Sequence, residues 1–179
     1  MWKMRYLARR YDTPATYVLI AMMVAVFLVD FFTQNRVVLL LGWPPSVEWF
    51  KGGLYWQAFT FPFAHTSVLG LLFDGLLLYW FGGSLERAWG TGKFLFFFFS
   101  SGILAGLVLI PQTLASPAVP YFTGMAGSFD AICVAFAAMN PYATVMFWFI
   151  PMQVRIMAAV VVAVDLFGNY QRYGGPVQA

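Results

Sequence analysis

The chain has 179 residues, of which 61% are hydrophobic, 20% aromatic and only 9% charged, and its mean hydropathy is +0.76. Soluble domains carry about a quarter charged residues, so this composition fits lipid rather than water. The net charge of +3 forms no basic stripe, which argues against nucleic acid as a partner, and the single cysteine excludes an internal disulfide or a Cys/His metal cluster. No cofactor motif is present, and Cys133, inside an apolar run, reads as a small buried hydrophobe.

Residues 1–14 form a basic N-terminus carrying Lys3, Arg5, Arg9 and Arg10. The apolar run that follows, 15–32, is longer than a signal-peptide core and has no small-residue cleavage pattern after it. It reads as a retained signal anchor. A bilayer core takes about 20 apolar residues per helix. Further runs at 66–83, 94–110, 124–139 and 154–167 bring the predicted spans to five, in one all-α, polytopic membrane domain over 1–179.

Pro44-Pro45 and Gly52-Gly53 mark a long first loop, and Gly90-Thr91-Gly92 a tight second one. Pro111 to Pro120 forms the third, and Asn140-Pro141 ends the fourth span. The first loop holds Trp43, Trp49, Phe50, Tyr55 and Trp56. Such aromatics suit a membrane interface, and equally a folded external loop with buried rings. The segment from Thr144 to Ile150 is too short to cross, so it either lies on the membrane surface or extends the fifth span inward.

Lys and Arg set the orientation. With the N-terminus in the cytoplasm, the inner segments hold seven of them and the outer segments three, Arg36, Lys51 and Arg172. An odd number of spans then puts the C-terminus outside. In the fourth span Gly124, Gly127, Ala131, Ala135 and Ala138 make a stripe of small residues, and Gly102 and Gly106 make a pair in the third. Such stripes let helix backbones approach closely in lipid.

Three segments carry a likeness. Trp56-Gln57-Ala58-Phe59-Thr60 is followed by Phe63-Ala64-His65. Tyr79-Trp80-Phe81-Gly82-Gly83-Ser84-Leu85-Glu86 is followed by Gly90, and Gly124-Met125-Ala126-Gly127 opens the fourth span. Their order and spacing resemble the rhomboid family of intramembrane serine proteases over about residues 15 to 168. The family pattern has a Trp-Arg pair, a Phe-x-His loop, a helix bearing His and Asn that ends in Gly, Glu and Gly, and a Gly-x-Ser-Gly turn.

The resemblance implies a protease fold, but this chain departs from the protease at four points. The nucleophile position falls on Ala126, the two oxyanion positions on Gly70 and Asp74, and the basic half of the Trp-Arg pair on Gln57. The activating histidine belongs to a sixth span that these residues do not contain. The tail from Gly174 to Ala179 resembles the lead-in to that helix, so the expectation is a longer native chain. The stripe on the fourth span would then meet the sixth helix or another subunit.

Serine catalysis needs a hydroxyl beside a base and donors for the oxyanion. Ser128 lies about 200° around the helix from Ala126 and should face away. His65 is the one histidine and reads as a loop hydrogen-bonder. An ionised Asp74 would be an acceptor, the wrong partner for an oxyanion. An engineered Ser-to-Ala change would explain Ala126 alone but not Gly70 and Asp74 as well, so the departures together point to natural loss of activity.

Asp74 and Asp130 are carboxylates within spans, where a central Asp costs roughly 2.5 to 3.5 kcal/mol. Two roles compete for them: a coupled pair handling a proton, or hydrogen bonding to neighbouring helices. The second is favoured. Asp30 and Asp165, near outer span ends, read as solvated, and Arg155 as snorkelling from the inner start of the fifth span.

The reading is a rhomboid-like pseudoprotease that binds transmembrane segments of membrane-protein clients without cleaving them, as inactive relatives such as derlins do. One alternative is an active endopeptidase with a shifted register or a substituted nucleophile. Another is a transport element using Asp74 and Asp130, against which the lack of an internal repeat weighs.

Overall fold

The computed structural model describes residues 13–34, 36–44, 52–115, 123–147 and 150–173. The basic segment 1–12, the aromatics Trp49 and Phe50, and the tail 174–179 lie outside the described residues, as do the side chains of Ala126 and Asp165.

Helix α1 (Pro14–Phe32) opens with a proline at its first turn, where no intrahelical bond is lost. It buries Ala15, Leu19 and Met23, a stripe at a spacing of four, while Tyr17, Val18 and Leu28 face outward. A short helix α2 (Arg36–Leu41) and a turn of helix α3 (Gln57–Thr60) build the first loop. Helix α4 (Val68–Trp89) and helix α5 (Thr91–Ala115) follow, joined at Gly90. Gly90 has φ +84°, a backbone conformation that only glycine adopts without strain. Helix α6 (Ala126–Met139) and helix α7 (Val154–Tyr173) complete the bundle. By length and composition, α1, α4 and 91–108 of α5 are long and apolar enough to cross a membrane. The apolar stretches of α6 and α7, 127–139 and 154–164, are shorter.

Several boundaries differ from the sequence reading. The second span continues past Gly83 to Trp89, because a π-helical turn, Leu78–Gly82, takes in the first of the two glycines and α-helix resumes at the second. A Cβ on Gly82 would sit 2.7 Å from Leu78 Cδ1 and 3.2 Å from Phe94 Cζ, so this glycine serves close packing and not chain breaking. The third span runs through Pro111 to Ala115, where a loop is expected from its prolines, and membrane helices do accommodate proline. The fifth runs to Tyr173 rather than 167.

The segment after Thr144 does not extend the fifth helix inward but forms paired strands. Strand β1 (Thr144–Phe147) pairs antiparallel with strand β2 (Ile150–Gln153), with Val145 opposite Met152 and Met146 opposite Pro151. A segment too short to span a bilayer satisfies its backbone by folding on itself, and Val154 N–H donates to Ala143 O (3.0 Å) to close the hairpin base.

The core lies where α1, α4, α5 and α6 meet, with Met23, Leu78, Leu85, Phe94, Phe98 and Ile132 fully enclosed. The run from Phe94 to Phe99 divides by helical period: Phe94 and Phe98 are buried, whereas Phe96 is 76% exposed. Cys133 is buried in the same core. Gly102 of the pair in α5 and Gly127 of the small stripe on α6 lie at the contact between these two helices, whereas Gly106 faces Trp43. A Cβ on Gly127 would collide with Ala105, and one on Gly102 would come within 2.6 Å of Ser128 Oγ.

A second, smaller core holds the first loop. Trp43 is fully buried against Phe61 (ring centroids 5.7 Å apart) and over Gly106, whereas Tyr55 and Trp56 stay exposed. Asp30 is a correction: it is 3% exposed, and its Oδ1 accepts the Val38 N–H (2.8 Å), pinning α2 to the end of α1. The N–H groups at the start of α2 need an acceptor, and a carboxylate one loop away supplies it.

Candidate functional site

The bundle has two ends with different polar devices. At the end where α1 starts and α4 finishes, Glu86 is 2% exposed. Its carboxylate accepts the N–H of Ala15 (3.0 Å), the N–H and Oγ1–H of Thr16 (both 2.8 Å) and Thr91 Oγ1–H (2.8 Å). The first N–H groups of a helix have no intrahelical acceptor. Here an acid from another helix supplies it, in the favourable field of the helix dipole. Glu86 is therefore a clamp joining α1, α4 and α5.

At the opposite end, Ser67 caps α4 by accepting the Gly70 N–H (3.1 Å). Gly70 thus belongs to the helix cap. One turn on, Asp74 Oδ2 lies 3.0 Å from His65 Nε2 and 3.2 Å from Met125 N, whose N–H donates to it. His65 Nδ1 is 3.2 Å from Phe63 O. The imidazole is 3% exposed and the carboxylate 19%.

The proton inventory follows from these partners. Phe63 O is an acceptor only, so Nδ1 carries hydrogen, and a proton also lies between Nε2 and Oδ2. Asp74 faces the N-terminus of α6, where the Met125 N–H points at it. Gly124, with φ +80°, makes the turn that aims Met125 N–H at the carboxylate, and its own N–H donates to Phe61 O (3.2 Å). A side chain there would be strained and would sit 3.6 Å from Asp74 Oδ2.

The structure thus gathers His65, Asp74, Gly124 and Met125 at the mouth of α6. Ser128 lies elsewhere: it is fully buried and donates to Phe98 O (2.8 Å) on α5. Asp130 is half-buried further along α6 and is not a hydrogen-bond partner of Asp74, whose contacts are His65 and Met125. Gln57 is 3% exposed and donates through Nε2 to Leu40 O (3.1 Å), tying the first loop to α2. Trp56 is 47% exposed and Gly127 packs on Ala105. Sequence reasoning missed that His65 and Asp74 pair. Their separation of nine residues across a loop and one helical turn carries no periodic signal.

Comparison with known proteins bears on this arrangement. The family model described as "Rhomboid domain" matches residues 52–175. Rhomboid protease GlpG of Enterobacter sp. (strain 638) is 33% identical over 117 residues. That match takes in 64% of this chain and 39% of the relative's length. The match spans α3 to α7, the clamp at Glu86 and the cluster around Asp74, in the order in which the sequence places them. An integral membrane bundle of apolar helices, with a first loop folded over the mouth of α6, is thus accounted for: the chain belongs to the rhomboid family.

Proposed function

We propose that this protein is a rhomboid pseudoprotease, which binds transmembrane segments of membrane-protein clients and leaves them uncut. One observation carries the reading. The helix where the family pattern places the serine opens on Ala126, and at its mouth stands the Asp74 carboxylate, in contact with the His65 imidazole and the Met125 N–H. Acyl transfer needs a hydroxyl whose proton passes to a base. Ala126 offers no hydroxyl, and the hydroxyl two residues on is committed to Phe98 O. The oxyanion of such a reaction also needs donors. The α6 mouth instead presents a carboxylate that already takes the Met125 N–H. In this reading the N-terminus is cytoplasmic, so the Asp74 end faces outward.

The relative's printed name is that of a protease, and an active endopeptidase is the competing assignment. The test is reconstitution of the full chain in liposomes with single-span proteins carrying a photo-crosslinker. Intact crosslinked clients and no cleavage product are expected. A cleavage product, or covalent labelling by a fluorophosphonate probe, overturns the proposal. Proton or ion flux in the same liposomes would move the assignment to transport.

A further inference from the structure

Strands β1 and β2 form a two-stranded sheet between α6 and α7, at the end of the bundle where Glu86 lies. The contact of Phe81 with Phe136 (ring centroids 4.7 Å apart) fixes that end, since it sets the last turn of α6 beside α4. An isolated pair of strands is marginal in water and needs a surface to pack on. The register supplies one. Val145 and Met152 stand opposite each other, and both pack against the helix core, with Ala143 beside them. Side chains alternate along a strand, so the next pair, Met146 and Pro151, points the other way. Met146 is accordingly 70% exposed, Pro151 is exposed, and Tyr142, just ahead of β1, is 84% exposed.

Two physical demands decide what covers this outer face. From Pro141 to Val154 there is no charged residue. An uncharged, apolar sheet face with open edges invites aggregation in water. Each strand of a two-stranded sheet also has one edge that its partner leaves unbonded, and hydrocarbon offers those backbone groups nothing. The face disfavours water and the edges disfavour the hydrocarbon core. The boundary between headgroups and acyl chains meets both demands. The neighbouring side chains suit that depth. The Arg155 guanidinium lies 6.0 Å from the Tyr142 ring centroid, a cation and an amphipathic ring of the kinds that collect at the membrane interface. Arg87 and Lys93 are exposed at the same end.

We infer that the strand pair is an interfacial anchor: its outer face, formed by Tyr142, Met146 and Pro151, inserts among the lipids of the leaflet at the Glu86 end. The partner is the lipid surface itself, and apolar area drives the insertion, so a zwitterionic lipid suffices. This face points away from the helices and is distinct from the small-residue face of α6, where a further span would pack. The anchor sets the height of α6 and α7 in the bilayer whether or not clients are cut.

The test uses the full chain in phosphatidylcholine vesicles, with a nitroxide on Met146→Cys or, separately, on Tyr142→Cys. Cys133 is fully enclosed, so the label goes to the introduced thiol. Collisions with oxygen, which partitions into lipid, and with a water-soluble nickel chelate report the depth. Both labels should meet oxygen more often than nickel, at a depth of about 5–10 Å below the phosphates. Met146→Glu places a charge on the face and should raise nickel collisions at position 142 about twofold. More nickel than oxygen at either position overturns the inference, as does an unchanged nickel signal in Met146→Glu. Low access to both reagents overturns it too, because protein, from this chain or a second copy, would then cover the face. If Met146→Cys does not fold, Tyr142→Cys lies outside the strands and still decides.

Discussion

Two carboxylates hold this protein, and each is enclosed by donors for a different reason. Glu86, 2% exposed, receives hydrogen bonds from three residues on two other helices. Glu86→Ala leaves the N–H groups of Ala15 and Thr16 and two hydroxyls without that acceptor, so a loss of about 3 kcal/mol or more is expected. Glu86→Gln keeps one acceptor oxygen and should cost less. Unfolding titrations in mixed micelles read both. Asp74 is a smaller anchor, with one imidazole and one N–H. Asp74→Asn keeps the shape but loses the charge-assisted bond, for an expected loss of about 1–2 kcal/mol. Combining it with His65→Gln should add little, and coupling of about 1 kcal/mol between the two is the signature of a real pair. Strict additivity would mean that the contact contributes nothing. Restoring a hydroxyl is a separate matter. Ala126→Ser should remain unlabelled by a fluorophosphonate, because the mouth of α6 presents the Asp74 carboxylate, an acceptor, where an oxyanion needs donors.

At the scale of elements, helices were legible wherever hydrophobic length alone decides. The starts and cores of α1, α4, α5, α6 and α7 follow from runs of apolar residues. Their ends do not, because glycine and proline have two uses in a membrane helix. Gly82 reads as punctuation, yet it lies inside α4, where it makes room for Leu78 and Phe94. Pro111 likewise lies inside α5. The strand pair was illegible for another reason: strands of four residues have no periodicity long enough to detect. The small stripe on α6 was visible, but not its partner, since spacing says that a helix comes close without saying which. The partner of Gly127 is Ala105 of α5. Gly127→Ala should therefore overpack this contact by about 1–3 kcal/mol. Ala105→Gly in the same chain should recover most of that loss, which thermal unfolding of the single and double variants would show. No recovery would mean that the stripe is held apart by something other than Ala105.

At the scale of the whole molecule, the polar groups are sorted to two ends with an apolar body between them. Backbone groups in hydrocarbon are satisfied within each helix, so helix ends are where a membrane bundle must find further partners. Glu86 supplies them at one end, and Asp74 with His65 joins the first loop, α4 and α6 at the other. The clamps share α4 but sit some 12 residues apart along it, about 18 Å, so they should loosen independently. Hydrogen exchange by mass spectrometry separates them. Asp74→Asn should speed exchange at 61–65 and 123–127, where Phe61 O and the N–H groups of Gly124 and Met125 meet, and spare 13–16. Glu86→Ala should do the reverse. Under the function proposed above, the asymmetry bears on clients. A transmembrane segment that reaches the mouth of α6 meets the weaker clamp, held by two bonds to one carboxylate oxygen, while the Glu86 end keeps α1, α4 and α5 in register. Client crosslinking should accordingly rise in Asp74→Asn and stay unchanged in Glu86→Gln. Equal effects from both variants would show that clients sense the stability of the whole bundle rather than the opening of one end.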